Sequence, residues 1–362
     1  MIYLEYPPER GGNNEKKANP FENGETTAPI GKVLESIKDL PPQKFIIPGV
    51  TEGAFGFVFG PPKSGKTIFM ETMLMHIAAG RSHFMGYSLS YPNRKCLFIS
   101  LEEGGKLERY KRNQNQISGY SEQEIASISN NYIVSTPFMP THLIDSAHWQ
   151  KIEDAIVENK PCVVVLDSLN RLTADSNADE EIAKKITMRL MELVKKYGIT
   201  LFVINHTTKV SNEALQTGSC MSGSRIYGSE ADFLIAVNRL STNARYVKLV
   251  FSRHDRDDSE TVDQYKITDK QWVELINKVP EYSLFKPQDG RTDDTNVELV
   301  WQEIESIADK AENGQFRPAD LEYLYEGEAR SMSKVTFFKA LEKMVTHGRL
   351  VKPSKGIYQV IN

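Results

Sequence analysis

Short apolar runs alternate with amphipathic stretches along the first two thirds of the chain. Four runs have the length of buried strands, namely residues 54–59, 94–101, 161–167 and 200–205. The first three are each followed by a stretch with apolar residues at helical spacing. Continuous apolar strands are typical of a parallel sheet that helices cover on both faces. The pattern therefore predicts an α/β fold with a mainly parallel central sheet.

The same patterns predict the other elements of this part of the chain. Helices are expected at residues 30–40, 66–77, 107–117, 149–158 and 179–197. Further strands are expected at residues 132–135, 233–237 and 246–251. In the helix at 107–117, Arg109, Lys111 and Arg112 are expected on the outer face.

The polar and apolar pattern also divides the chain into segments. Residues 1–28 are rich in Pro, Gly, Asn, Glu and Lys, which indicates a flexible arm, and residues 29–276 carry the alternating pattern. Residues 277–314 lose that pattern and include a polar, turn-rich stretch, so they are predicted to be a linker. Residues 315–362 predict two helices, at 317–325 and 333–346, and a hairpin, an order that resembles a winged-helix domain.

Composition and charge narrow the function classes. The 362 residues are 40% hydrophobic and 25% charged, which is ordinary for a globular protein. A net charge of −4 means that nucleic acid would have to bind a local basic surface, such as the lysines and arginines of residues 334–355. Three widely spaced cysteines predict neither a disulfide framework nor a zinc site. No apolar run approaches the roughly 18 residues of a membrane span, so a cytoplasmic protein without membrane partners is expected.

Residues 60–67 read GPPKSGKT and lie between a predicted strand and a predicted helix. Gly60 and Gly65 allow backbone conformations that direct N–H groups at an anion, and the helix adds the positive end of its dipole. Lys66 would reach the β- and γ-phosphates of ATP, and the Thr67 hydroxyl would bind Mg²⁺. The predicted ATP-binding residues are Gly60, Pro61, Pro62, Lys63, Ser64, Gly65, Lys66, Thr67 and Ile68.

Three other polar residues follow predicted strands. Asp167 ends the run PCVVVLD, a position where a carboxylate holds Mg²⁺ directly or through water, so Thr67 and Asp167 are the predicted metal ligands. Glu102 follows RKCLFISL, and His206 follows TLFVIN. Because ligands of parallel sheets bind beyond the carboxyl ends of the strands, these side chains are expected to meet residues 60–67 at one edge.

The order of these motifs resembles that of the RecA-like P-loop ATPases, and within them the hexameric replicative helicases of plasmid RepA type. The motifs are GPPKSGKT, FISLEE, VVVLDSLNRL, FVINHTTK and SGSRIYGSEADF, and the resemblance covers roughly residues 45–270. It implies a RecA-like fold, ATP and Mg²⁺ as ligands, and self-association into a ring. By motif position, Glu102 would orient or deprotonate the attacking water, with Glu103 as an alternative, and His206 would sense the γ-phosphate.

The resemblance implies two further groups of residues. The loop at 210–223 corresponds to one that touches single-stranded DNA in RecA-like rings, and Lys209 and Arg225 at its ends are the predicted DNA-binding residues. An arginine finger for the neighbouring subunit is expected at Arg253 or Arg256. The predicted catalytic residues are therefore Lys66, Glu102, Asp167, His206, Arg253 and Arg256.

Together these features predict a Mg²⁺-dependent ATPase that acts on single-stranded or forked DNA. The favoured function is a ring-forming replicative helicase, a hexamer, or another replication protein of a plasmid or mobile element that works with replication partners. One alternative is a RecA-like recombination or regulatory ATPase that does not unwind DNA. Another is a nucleotide-switched DNA-binding scaffold, in which the C-terminal domain recognises the target and hydrolysis resets the state.

Overall fold

The chain folds into two compact units, Met1–Leu284 and Phe285–Asn362. The structure is a computed structural model, and it describes residues 27–39, 44–89, 94–103, 106–208, 215–240, 243–254, 261–285, 293–308, 311, 314–327 and 331–361. The predicted arm at 1–28 lies outside the described residues except for its last two positions. Within the described ranges, no helix is both long enough and apolar enough to cross a bilayer.

The first unit contains most of the predicted strands and helices. Its described helices are α1 (Ile30–Ile37), α2 (Lys66–Ala79), α3 (Leu107–Ile117), α4 (Glu122–Asn131), α5 (Ser146–Asn159), α6 (Glu180–Tyr197) and α7 (Arg225–Glu230). Its described strands are β1 (Phe45–Ile47), β2 (Val50–Thr51), β3 (Phe55–Gly60), β4 (His83–Phe84), β5 (Tyr87–Ser88), β6 (Cys96–Ser100), β7 (Tyr132–Val134), β8 (Val163–Asp167), β9 (Thr200–His206), β10 (Phe233–Arg239), β11 (Arg245–Ser252), β12 (Thr261–Ile267) and β13 (Val273–Pro280).

Among the described residues, nine of these strands form one sheet in the order β13–β12–β11–β10–β3–β9–β8–β6–β7. The six strands from β10 to β7 in this order are parallel, whereas β11, β12 and β13 pair antiparallel and extend one side. Strand β3 lies between β10 and β9, so the loop that follows it emerges near the middle of the sheet. The predicted α/β fold with a mainly parallel sheet is confirmed.

Helices cover both faces of the sheet because successive side chains of a strand point to opposite sides. On β3, Phe57 and Phe59 face the cluster that includes Leu190 of α6, while Val58 faces the cluster that includes Met73 of α2. These β3 side chains are completely buried. The burial explains why the strand sequence is a continuous apolar run, and it holds the start of α2 against the sheet.

A buried polar network connects β10, β11 and the residues after β13. Lys248 forms an ion pair with Glu281 and donates a hydrogen bond to the Gln216 carbonyl at 2.9 Å. Glu281 Oε1 accepts hydrogen bonds from the Gln216 amide and the Tyr246 hydroxyl, both at 2.8 Å. The Glu281 carboxylate thus anchors the chain that returns after β9, since Gln216 lies in that segment.

The second unit contains α8 (Asp293–Ala308), a 3-10 segment (Pro318–Leu324), α9 (Lys334–Thr346) and three short strands. The strands β14 (Gln315–Phe316), β15 (Leu350–Ser354) and β16 (Ile357–Val360) form an antiparallel sheet in the order β14–β16–β15. The Ser333 side chain caps α9, because it accepts a hydrogen bond from the Thr336 amide. Phe337, Leu341 and Met344 form the apolar stripe that packs into the core of the unit.

Helix α8 lies within residues 277–314, which the sequence pattern predicted to be a linker. Its Val300 and Ile304 are fully buried in the same core as α9. These two residues are four positions apart, which is the spacing of one helix face. The polar sequence around residue 290 led to the prediction of a linker instead of this helix. The predicted helix at 317–325 is instead the 3-10 segment.

Candidate active site

The loop after β3 turns sharply into α2. Its backbone includes the positive φ angle that the glycine before the helix makes possible. Gly65 precedes the helix with φ 106°, and Lys63 also has a positive φ of 62°. A Cβ atom at Gly60 would lie 1.9 Å from the Val237 carbonyl oxygen of the neighbouring strand β10, so only glycine fits there. The Tyr265 hydroxyl donates a 3.3 Å hydrogen bond to the Ser64 carbonyl from β12. The antiparallel side of the sheet therefore supports the loop.

Lys66 is buried beneath the loop. Its ammonium group donates hydrogen bonds to the Gly60 carbonyl at 2.9 Å and to the Pro61 carbonyl at 3.0 Å. Burial lowers the pKa of Lys66 to about 8, and the nearby charges of Asp167 and Glu102 oppose that shift. The charge of this lysine therefore lies inside the concave loop, where phosphate oxygens would be held.

Thr67 and Asp167 meet as the sequence predicted. The Thr67 hydroxyl donates a 3.0 Å hydrogen bond to Asp167 Oδ2. Burial, together with the negative charge of Glu102, raises the pKa of Asp167 to about 7, while the Thr67 hydrogen bond and Lys66 act in the opposite direction. A bound divalent cation would stabilise the ionised form of Asp167, which burial otherwise disfavours.

The raised pKa of Asp167 predicts the pH dependence of an Asp167→Asn variant. Between about pH 4 and pH 7 the unfolded chain loses this proton before the folded one, so ionisation of Asp167 progressively destabilises the wild-type fold as pH rises. Asparagine cannot ionise, so the variant should gain melting temperature relative to wild type by several degrees more at pH 8 than at pH 5.

Differential scanning calorimetry without nucleotide or Mg²⁺ would measure this difference. Asp175→Asn, at an exposed carboxyl group, is the matched control and should show no such trend. If the difference in melting temperature between Asp167→Asn and wild type is the same at both pH values, the raised pKa of Asp167 is wrong.

Glu102 lies beside Asp167 and has two side-chain hydrogen-bond partners. Its Oε1 accepts a hydrogen bond from the Ser168 hydroxyl and lies 3.1 Å from His206 Nε2. The tautomer that carries hydrogen on Nε2 donates to the carboxylate. The hydrogen bonds of His206 and Ser168 outweigh burial and lower the pKa of Glu102 to about 2. A carboxylate with so low a pKa is a weak proton acceptor, so this arrangement suits orientation of a water molecule better than its deprotonation.

Glu103, the alternative to Glu102, points to a different set of partners. Arg112 of α3 binds its carboxylate through both terminal nitrogens, one of them 3.1 Å from Oε1. The same guanidinium group binds both oxygens of Glu71, at 2.9 and 3.0 Å. Glu71 is a fully buried residue of α2. The contacts of Glu103 therefore make it a structural partner of Arg112, and Glu102 is the carboxylate that faces Asp167.

The arginines of α3 correct the sequence interpretation of that helix. Arg109 and Arg112 were expected on the outer face, yet Arg109 is completely buried and donates to the Ser135 hydroxyl at 3.2 Å. Both arginines satisfy the buried carboxylate of Glu71. Their inward orientation depends on this distant acid on α2, which no local pattern within α3 reveals.

The structure also places the remaining predicted residues. His206 and Gly60 are direct partners on adjacent parallel strands, so His206 does lie beside the loop. Arg225 is exposed at the start of α7, whereas Lys209 and Arg256 lie outside the described residues. Arg253 follows β11 and donates to the Ala231 and Ser229 carbonyls, at 2.9 and 2.7 Å. Because β11 is antiparallel to β10, Arg253 lies at the opposite edge of the sheet from Lys66.

The residues at this edge fit a nucleotide with Mg²⁺. The completely buried Ser64 hydroxyl of the loop has no hydrogen-bond partner among the described residues, so it is available to a phosphate oxygen. Residues 60–67 would hold the phosphates, and Thr67 and Asp167 would bind Mg²⁺, which neutralises phosphate charge when bound. In the described ranges, no group of three or more His, Cys, Asp or Glu side chains is arranged to hold a metal ion.

The glycine-bounded loop, the helix that starts at Lys66, the strand-end acids and the strand order together define a RecA-like P-loop ATPase. The chain belongs to the AAA domain family, whose sequence pattern matches residues 28–212. The class predicted from the motifs is thus confirmed.

Comparisons with individual proteins give the same class. The chain is 26% identical over 166 residues to the DNA repair protein RadA of Listeria monocytogenes, a match covering 44% of this chain and 29% of that protein. It is 26% identical over 163 residues to the DNA repair and recombination protein RadB of Methanosphaera stadtmanae, covering 43% of this chain and 61% of RadB. The chain thus spans less than two thirds of either relative. A solved structure of an ATPase domain has a similar fold, with a TM-score of 0.52 at 16% identity, covering 68% of this chain and 97% of that domain.

Proposed function

We propose that this protein is a Mg²⁺-dependent ATPase that acts on DNA as a ring-forming helicase or related replication protein. The observation that carries the proposal is the contact between His206 and Glu102. His206 ends β9, and the Ser222 amide, which lies near the end of the predicted DNA-contacting loop at 210–223, donates a 2.8 Å hydrogen bond to the His206 carbonyl. Loss of the γ-phosphate next to His206 would therefore act on a loop that is predicted to contact DNA.

Assembly into a ring, with hexamers as the expected form, is the second part of the proposal. Arg253 is 43% exposed and lies away from its own Lys66, which suits a residue that serves a neighbouring subunit. Arg256 is the second candidate for this role. The motif order that resembles plasmid RepA helicases supports a role for the protein in a plasmid or mobile element, together with replication partners on single-stranded or forked DNA.

The C-terminal part of the chain is proposed to be a winged-helix domain. Two helices with a 3-10 segment between them, followed by a hairpin, support this assignment. Some of its basic side chains are in ion pairs, since Arg349 lies 3.2 Å from Glu298 and Lys334 pairs with Glu326. We propose that the first unit holds the ATPase domain predicted at residues 29–276, and that the second unit, which contains the predicted domain at residues 315–362 together with α8, contacts DNA or a protein partner.

A second candidate function is a repair or recombination ATPase that does not unwind DNA. The names of the curated relatives favour it, because RadA is a DNA repair protein and RadB a DNA repair and recombination protein. Both candidates share the same nucleotide site, so the distinction rests on what hydrolysis does to DNA.

Steady-state ATP hydrolysis, measured with and without single-stranded DNA across protein concentrations, tests the proposal. A helicase ring with shared sites should be stimulated by DNA, and its rate per protomer should rise with concentration. Strand displacement on a forked duplex then separates unwinding from repair or recombination without unwinding. Turnover that responds to neither DNA nor protein concentration would contradict the ring and the action on DNA together.

A further inference from the structure

Side chains from the antiparallel strands lie directly against the end of the loop at 60–67. A Cβ atom built on Gly65 would lie 3.2 Å from the Tyr265 hydroxyl and 3.1 Å from Ile267 Cδ1. Arg245 Nε would lie 3.9 Å from the same atom. Tyr265 is buried, whereas Arg245 and Ile267 are only partly buried. An arginine of β11 therefore reaches the loop immediately before Lys66.

The Arg245 guanidinium group is not satisfied by the part of the chain that the structure describes. Its Nε atom is buried and has no hydrogen-bond partner among those residues. Burial and the charge of Arg239 both lower the pKa of Arg245, and only Tyr265 acts in the opposite direction. A cation that is partly withdrawn from water without an acceptor is unfavourable, and a bound anion would compensate it.

A second arginine lies beside Arg245 at the end of β10. Arg239 is the direct partner of Arg245 across the β10–β11 pair. Because β10 runs parallel to β3, both arginines lie at the sheet edge from which the loop at 60–67 emerges. Arg239 Nη2 donates to Asn243 Oδ1 at 2.6 Å, and this acceptor is neutral. Like charges on opposing residues repel each other, and an anion bound between them would relieve that repulsion.

The surroundings of Arg245 are basic, although the chain as a whole carries a net charge of −4. Residues 239–246 and 265–270 contain four basic side chains, Arg239, Arg245, Lys266 and Lys270, and one acidic side chain, Asp269. Lys266 is paired with Glu274 at 3.2 Å. The loop at 60–67 adds two lysines and no acid. Charge at this place therefore favours an anion.

The strand order predicts which part of ATP would lie here. Glu102, Asp167 and His206 are on or directly after β6, β8 and β9, on one side of β3, whereas β10 and β11 are on the other side. The γ-phosphate would lie near the acids, where hydrolysis takes place. The α-phosphate is at the opposite end of the triphosphate, so it would lie toward β10 and β11.

We propose that Arg245 binds the α-phosphate of ATP and that Arg239 adds its charge to the same site. A guanidinium group suits this role because its N–H groups match phosphate oxygens. The site rests on the proposed ATPase function. It adds β10 and β11 to the nucleotide site, and neither arginine belongs to the sequence motifs that predicted that site.

An Arg245→Met variant of the full chain tests the site by isothermal titration calorimetry with Mg²⁺ and without DNA. The ligands are a non-hydrolysable ATP analogue, inorganic tripolyphosphate and pyrophosphate. We expect Kd to rise about tenfold for the first two, because one charged contact is lost. Pyrophosphate can occupy the two positions nearest Lys66, so its Kd should rise less than about twofold. Lys184→Met, at an exposed cation of α6, is the matched control and should bind all three like wild type.

The melting temperature without nucleotide separates binding from a structural role. Because the Arg245 guanidinium group is unpaired, Arg245→Met should melt no lower than wild type. A lower melting temperature with equal losses for all three ligands would show a structural role and overturn the proposal.

The pattern of ligands separates the remaining outcomes. Weaker binding of the ATP analogue alone would place Arg245 at the base or ribose, and the α-phosphate assignment would be wrong. If Arg245→Met binds every ligand as wild type does, the site is wrong and the proposed function stands. If wild type binds none of the three ligands, the proposed ATPase function fails as well.

Discussion

A Glu102→Gln variant is expected to hydrolyse ATP at least about 100-fold more slowly than wild type while still binding nucleotide. The carboxylate is the side chain at the end of β6 that faces Asp167, and Ser168 and His206 fix its direction. The amide has nearly the same shape but no charge, so it would orient an attacking water poorly. Phosphate binding by residues 60–67 should persist, because Lys66 and Thr67 are unchanged.

Glu103→Gln provides the matched control for this experiment. Both carboxylate oxygens of Glu103 are bound by Arg112, so its replacement should lower kcat only a few-fold. Single-turnover hydrolysis and binding of a fluorescent ATP analogue would separate the chemical step from affinity. If Glu103→Gln is the more damaging change, the assignment of Glu102 as the catalytic carboxylate is wrong.

Glu281→Ala is expected to lower the free energy of unfolding of the first unit by about 3–5 kcal/mol. The change leaves the Lys248 ammonium group buried without its carboxylate and removes the acceptor of the Gln216 amide and Tyr246 hydroxyl. Urea unfolding followed by circular dichroism would measure the loss.

The exposed ion pair between Lys266 and Glu274, at 3.2 Å, supplies a control in the same part of the sheet. Glu274→Ala should change the free energy of unfolding by no more than about 1 kcal/mol, because both side chains are largely in water. The double change Lys248→Met with Glu281→Leu should recover much of the loss of Glu281→Ala. Equal losses for Glu281→Ala and Glu274→Ala would contradict a buried network at this position.

Much of the ATP site could be predicted because it depends on short stretches of sequence. Each of β3, β6, β8 and β9 is an apolar run that ends in a polar residue or a glycine, and parallel strands bring those ends together. Lys66 and Thr67 follow directly from the loop motif, and Asp167 from the strand before it. The geometry of a parallel sheet then places His206 beside Gly60 without any further information.

Other features could not be predicted because they depend on residues far apart in sequence. Strands β12 and β13 alternate too weakly in polarity to stand out. Strand β12 is stabilised by pairing with β11, and β13 by pairing with β12. Helix α4 does carry a local signal, since Ser121 and Glu124 form a capping box. No local sequence signal predicts the contact between Ser168 and Glu102, because the contact requires β6 and β8 to be neighbours.

The position of Arg112 has a consequence for how the site moves. Arg112 ties Glu71, on the helix that begins at Lys66, to Glu103, the residue beside Glu102. The loop at 60–67 and the turn that carries Glu102 are therefore mechanically coupled, and we expect them to shift together. Rearrangement during turnover should concentrate at His206 and the segment after it. Lys66 and Glu102 would then keep their relative positions while the contact between His206 and Glu102 changes.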